Sequence, residues 1–126
     1  MPPTPNDDAI VDSGCSYHTL RDDAPVASRT AAHHTKIVGT PTGDMMKSST
    51  QAMTKHNLPP EARKAHTYPG LTYQSLLSVG QICDTGYRVV FDDDKVQAIS
   101  KTTNSVDLVG YRDPSTGLYH TLMEPS

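Results

Sequence analysis

Tryptophan is absent from this chain of 126 residues, and phenylalanine occurs once, at Phe91. The core must therefore be aliphatic and thin. Hydrophobic residues make up 35% of the chain, below the roughly 45–50% of ordinary globular proteins even with the glycines added. A thin core raises the share of stability that an oligomer interface has to supply. Cysteine is nearly missing too: Cys15 and Cys83 are the only two, which excludes a disulfide framework. No apolar run approaches the ~20 residues a membrane span needs, and Met1-Pro2-Pro3-Thr4-Pro5 is not a signal-peptide pattern. The expectation is an intracellular, cytoplasmic protein with no membrane partner. Basic clusters stop at the pair Arg63-Lys64 and the net charge is −3, so nucleic acid is not expected as a partner.

What is present reads as one domain, long enough to bury about two-thirds of its unfolded surface. Residues 1–8 are polar and Pro-rich, the composition of a disordered leader. Ala9-Ile10-Val11 is a short β-forming run, and Thr19 to Thr35 is polar and reads as irregular. Lys36-Ile37-Val38 and Met45-Met46 flank the turn residues 39–44, which predicts a hairpin. Prolines at Leu58-Pro59-Pro60 and Pro69-Gly70 break the chain, leaving a strand through His66-Thr67-Tyr68 between them. Ser75 to Cys83 places apolar residues at 76, 79, 82 and 83, the spacing of a helix. Tyr87 to Phe91 and Val96 to Ile99 read as hairpin partners around Asp92-Asp93-Asp94, and Val106 to Val109 and Leu118 to Leu122 as two further strands. The fold class is all-β, mainly β with one short helix.

Two triplets could carry chemistry. Asp12-Ser13-Gly14 follows the apolar strand Ala9-Ile10-Val11, so that a carboxylate stands at a strand end, a hydroxyl can fix the loop, and a glycine leaves room where no Cβ fits. That is the layout of an aspartic-protease loop. Asp84-Thr85-Gly86 has the same form, but it follows the helical segment, and Gly86 suits the position just past a helix end. It is read as a helix stop, and Asp12 as the catalytic candidate.

Two places invite a metal reading. Cys15-Ser16-Tyr17-His18 has a C-x2-H spacing, with His33-His34 further on, but a structural zinc site shows two tight ligand pairs. Cys15 is read instead as a small buried residue and His18 as a packed, hydrogen-bonded histidine. Asp92-Asp93-Asp94 lacks the spaced oxygen ligands of a calcium loop and is read as a solvated turn. No metal and no cofactor is expected.

The order and spacing of Val11-Asp12-Ser13-Gly14-Cys15-Ser16-Tyr17-His18, Leu58 to His66, Tyr68-Pro69-Gly70-Leu71 and Ser75 to Tyr87 resemble the protease region of Ty1/copia-type retrotransposon Pol polyproteins. The likeness extends through Val89-Val90-Phe91-Asp92 and more weakly to Gly110 to Tyr119. It covers about residues 9–120.

The resemblance implies a retropepsin-like closed β-barrel in which each subunit of a homodimer contributes one catalytic Asp. It puts Asp12 on that Asp, Ser13 and Gly14 on the active-site loop, and Leu76-Leu77-Ser78 on the segment before the helix, where retroviral enzymes carry glycine in place of Ser78. The turn Gly39-Thr40-Pro41-Thr42-Gly43 falls where a substrate-binding flap would be, without the Gly-rich sequence of retroviral flaps. The implied layout is a leader at 1–8, a protease domain at 9–103 and a C-terminal β extension at 104–126 leading towards a pre-integrase region. The implied partners are a second copy of the chain and peptide segments of its own polyprotein, in the virus-like particle of the element. A non-catalytic dimerisation or peptide-binding module on the same barrel is the alternative.

Overall fold

The computed structural model describes residues 7–31, 35–39 and 43–125. Within them the chain is mainly β with one short helix. The strands are β1 (Asp8–Asp12), β2 (His18–Arg21), β3 (Ser28–Ala31), β4 (Ile37–Gly39), β5 (Met45–Lys47), β6 (Thr50–Met53), β7 (Lys64–Tyr68), β8 (Ser75–Ser78), β9 (Tyr87–Phe91), β10 (Lys95–Ser100), β11 (Val106–Arg112) and β12 (Tyr119–Leu122), with helix α1 (Val79–Cys83) directly after β8. A 3₁₀ turn, Pro60–Ala62, precedes β7.

Ten strands form one sheet in the order β3-β6-β7-β2-β8-β1-β12-β11-β10-β9, and β4 and β5 pair separately as the predicted hairpin. The middle of the sheet is its least common part. β1 runs parallel to β8, with Val11 opposite Leu77 and Asp12 opposite Ser78, and antiparallel to β12. β2 runs parallel to β7. Parallel neighbours need crossovers and are covered on both faces, so Asp12 sits at the end of a strand with partners on either side. The ladder leaves β3 and β9 paired on one side only; closure into a barrel is not part of the ladder order among the described residues.

The core fits the composition. It is rich in alanine, with Ala9, Ala52, Ala62, Ala65 and Ala98 packed among Leu20, Leu77, Ile82, Leu108 and Met123. Small residues let chain segments approach closely. The tightest case is Gly110, where an added Cβ would lie 2.5 Å from the His120 carbonyl oxygen and 2.9 Å from Val96 Cγ1.

Three sequence expectations are corrected. Residues 19–35 are not irregular throughout: β2 is a central strand whose His18, Thr19 and Leu20 are all buried, and β3 pairs with β6. The helix does not begin at Ser75. Ser75 to Ser78 is a strand in which Ser75, Leu77 and Ser78 are buried and Leu76 is half-buried, so its side chains carry no clear alternation and Leu76 with Val79 imitates a helical period. Asp8, placed in the leader by its sequence, is the first residue of β1, and Asp7 O accepts a hydrogen bond from Met123 N–H at 2.7 Å. Residues 104–126 contribute β11 and β12 to the main sheet, where β12 lies against β1.

Candidate active site

Asp12 is half-buried at the C-terminal end of β1, where the chain turns out of the sheet. Its Oδ1 accepts a hydrogen bond from the Gly14 backbone N–H at 2.7 Å, closing the loop over one residue. A Cβ at Gly14 would stand 3.3 Å from that same oxygen, a tight contact that the carboxylate would have to relieve by moving. Ser13 is exposed at the loop tip.

Behind the loop, Ser78 acts as a junction. Its Oγ donates to the Cys15 carbonyl at 2.7 Å and accepts from Gln81 N–H at 3.1 Å, capping α1. Its own N–H donates to His18 Nδ1 at 2.8 Å. Because Nδ1 must be an acceptor there, the proton of a neutral His18 sits on Nε2, which donates to Ala62 O at 2.6 Å. Burial pushes His18 down to about 4, so the ring is neutral at ordinary pH. Gln81 completes the frame: its Oε1 accepts from His18 N–H, and its Nε2 donates to the carbonyls of Glu61 and Lys64. The Asp12 loop, helix and 3₁₀ turn are thus tied together by side chains that the sequence presents as ordinary polar residues.

Cys15 is half-buried, and desolvation raises its thiol above the ordinary range despite hydrogen bonds to Thr19 and the Tyr17 carbonyl. The raised pKa disfavours its thiolate form. His18 has both ring nitrogens engaged, which leaves neither for a metal.

A groove of about 790 Å³ runs beside the loop and under the β4–β5 hairpin, bringing Asp12, Gly14 and Gly39 together with Tyr17, Lys36 and Met46. Leu76 borders it as well, whereas Leu77 is in the core and Ser78 is buried in the hydrogen-bond frame. Gly43, in the connection between β4 and β5, has φ +90°; Thr40, Pro41 and Thr42 lie outside the described residues. On the other side of Asp12 a second hollow of about 500 Å³ is bordered by Ser13, Ile10, Phe91, Leu118 and Tyr119. Phe91 and Leu118 are exposed there.

Asp84-Thr85-Gly86 closes α1, with Asp84 N–H donating to Gly80 O and Gly86 at φ +90°. The three carboxylates of Asp92-Asp93-Asp94 come within 4.8 Å of one another and are exposed, and Asp92 Oδ1 already accepts from the N–H groups of Asp94 and Lys95. That is a turn held by its own side chain.

Sequence reasoning missed the contributions of Gln81, Tyr17, Lys36 and Met46 to this region. For Gln81 a signal existed, since Ser78-x-x-Gln81 is a capping-box spacing. For the others the contacts are between distant segments and leave no local trace. No helix of the described residues is long and apolar enough to cross a membrane. In comparison with known proteins, no family model matches the chain, and no curated protein and no solved structure is significantly similar to it.

Proposed function

We propose that this chain is one half of a retropepsin-like aspartic endopeptidase of the Ty1/copia type, completed by a second copy of itself, and that it cleaves peptide segments of its own polyprotein. A closed retropepsin-like barrel is part of the same proposal. The observation that carries it is the setting of Asp12: a carboxylate at the end of a central strand, gripped by Gly14 N–H, facing a groove roofed by a β-hairpin. Support also comes from the parallel pairing of β1 with β8 and from Leu76-Leu77-Ser78 standing directly before the short helix.

The chemistry follows from having one carboxylate per chain. Across a two-fold axis the two Asp12 side chains would be near enough that both do not ionise comfortably, and they share one proton. The ionised partner takes a proton from water as the water oxygen attacks the scissile carbonyl. The protonated partner donates to the carbonyl oxygen, and a neutral tetrahedral diol forms. When the diol collapses, the C–N bond breaks, a proton passes to the leaving amine, and a carboxylic acid and an amine are released. No cofactor is required. Ser13 supplies hydroxyl hydrogen bonds between the two loops, and the hairpin closes over the extended peptide, excluding water and adding backbone hydrogen bonds.

The test couples mass to activity. Mass measured across concentration, alongside cleavage of a polyprotein fragment with and without pepstatin, is expected to show cleavage that rises with the dimer and stops with the inhibitor. Peptide binding by a dimer that never cleaves would assign the chain to a non-catalytic binding module.

A further inference from the structure

The groove beside Asp12 holds a second charge. Lys36 stands at the root of the hairpin, just before β4, and its backbone is fixed on both sides: its N–H donates to Ser48 Oγ at 2.8 Å and its carbonyl accepts from Ser48 N–H at 2.9 Å. The ammonium lies 4.1 Å from the centre of the Tyr17 ring. Tyr17 belongs to the active-site loop, and its carbonyl accepts from Cys15 Sγ and Thr19 Oγ1, so the ring is presented from a fixed backbone.

Among the described residues that ammonium is the positive charge bordering the groove that holds Asp12. Asp12 and Lys36 are the charged groups bordering the groove that holds Asp12. The adjoining hollow across Tyr17 and Lys36 adds Lys64, Glu61, Asp84 and His66. Lys64 and Glu61 are paired at 2.8 Å, and burial together with the Lys36 charge lowers the His66 pKa, which disfavours a second positive charge there. No carboxylate forms an ion pair with Lys36 among the described residues. A cation stacked on an aromatic face keeps its outward side available for an anion.

We infer that Lys36 is a specificity residue, selecting peptides that carry an Asp or Glu side chain at one position flanking the scissile bond. This rests on the endopeptidase reading of Asp12. An extended peptide lying between Asp12 and the hairpin passes Lys36, and a carboxylate there meets the ammonium partly shielded from water by the Tyr17 ring. A basic side chain at that position is repelled.

Profiling cleavage of a diverse peptide library by mass spectrometry tests this, with the full chain, K36Q and K36E at a concentration where the protein is dimeric. The wild type is expected to enrich Asp and Glu about fivefold at one flanking position. K36Q should abolish that enrichment and K36E should turn it towards Lys and Arg. A cleavage profile with no acidic preference, or one unchanged in K36E, overturns the role of Lys36 and leaves the protease reading standing. Absence of any cleavage that depends on Asp12 overturns both.

Discussion

Ser78 and His18 are joined through the backbone N–H of one and the ring Nδ1 of the other, 2.8 Å apart in the protein interior. In an ordinary capping box that N–H would be taken by the side chain three residues on. Here Gln81 turns away to hold the 3₁₀ turn, and the histidine of β2 takes its place. The Asp12 loop is therefore anchored, through Ser78, by a neutral imidazole.

That anchor predicts a pH dependence of stability. The folded state holds His18 at about 4, against about 6.5 for an exposed histidine. Between those values the unfolded chain binds more protons than the folded one, so stability falls as pH falls. The loss reaches the order of 3 kcal/mol below pH 4 from this group, and buried His56 adds to it in the same direction. Urea midpoints measured from pH 7 to pH 4 should decline accordingly. His18→Gln is expected to be less stable at pH 7 but to show a flatter decline.

Ser78→Ala removes the cap of α1 and leaves the Cys15 carbonyl without its donor. The expected cost is about 2 kcal/mol in chemical denaturation. Because the Asp12 loop is what Ser78 holds, cleavage by the folded fraction should fall as well.

Gly14→Ala separates catalysis from folding. The position is exposed, so stability should change by less than about 0.5 kcal/mol. The new methyl group stands 3.3 Å from Asp12 Oδ1 and displaces the carboxylate by a few tenths of an ångström. A drop in kcat of about tenfold with an unchanged thermal midpoint is expected.

Gly110→Ala has the opposite signature. Its Cβ would meet the His120 backbone oxygen at 2.5 Å, and neither β11 nor β12 can yield cheaply. Thermal unfolding should reveal destabilisation of about 3 kcal/mol.

The sequence discloses those parts of the fold in which local pattern and burial agree. Tyr87 to Phe91 and Lys95 to Ser100 show it: the buried positions of β10, Val96, Ala98 and Ser100, alternate, and three aspartates mark the turn between the strands. β8 reads wrongly because Ser75, Leu77 and Ser78 are buried and Leu76 half-buried, which erases the period of two and leaves the Leu76–Val79 spacing to suggest a helix. β2 is hidden by its polarity, since His18 is buried through a hydrogen bond that only the folded chain provides and Thr19 through a local one to the Tyr17 carbonyl. β3 is exposed at all four residues and carries no hydrophobic signal. At the site, Asp12 and Gly14 can be picked out because they are neighbours in sequence. The stacking of Lys36 on Tyr17 cannot, being a contact between the hairpin root and the active-site loop.

Asp12→Asn is the sharpest test of the proposed acid–base role of Asp12, because the side chain keeps its shape and its acceptor for Gly14 N–H while losing the acid–base function. The purified variant and the wild type are compared for cleavage of a polyprotein fragment at matched dimer concentration. The variant is expected to fold and dimerise as the wild type does and to cleave nothing. Cleavage that persists in the variant at the wild-type rate would contradict that role.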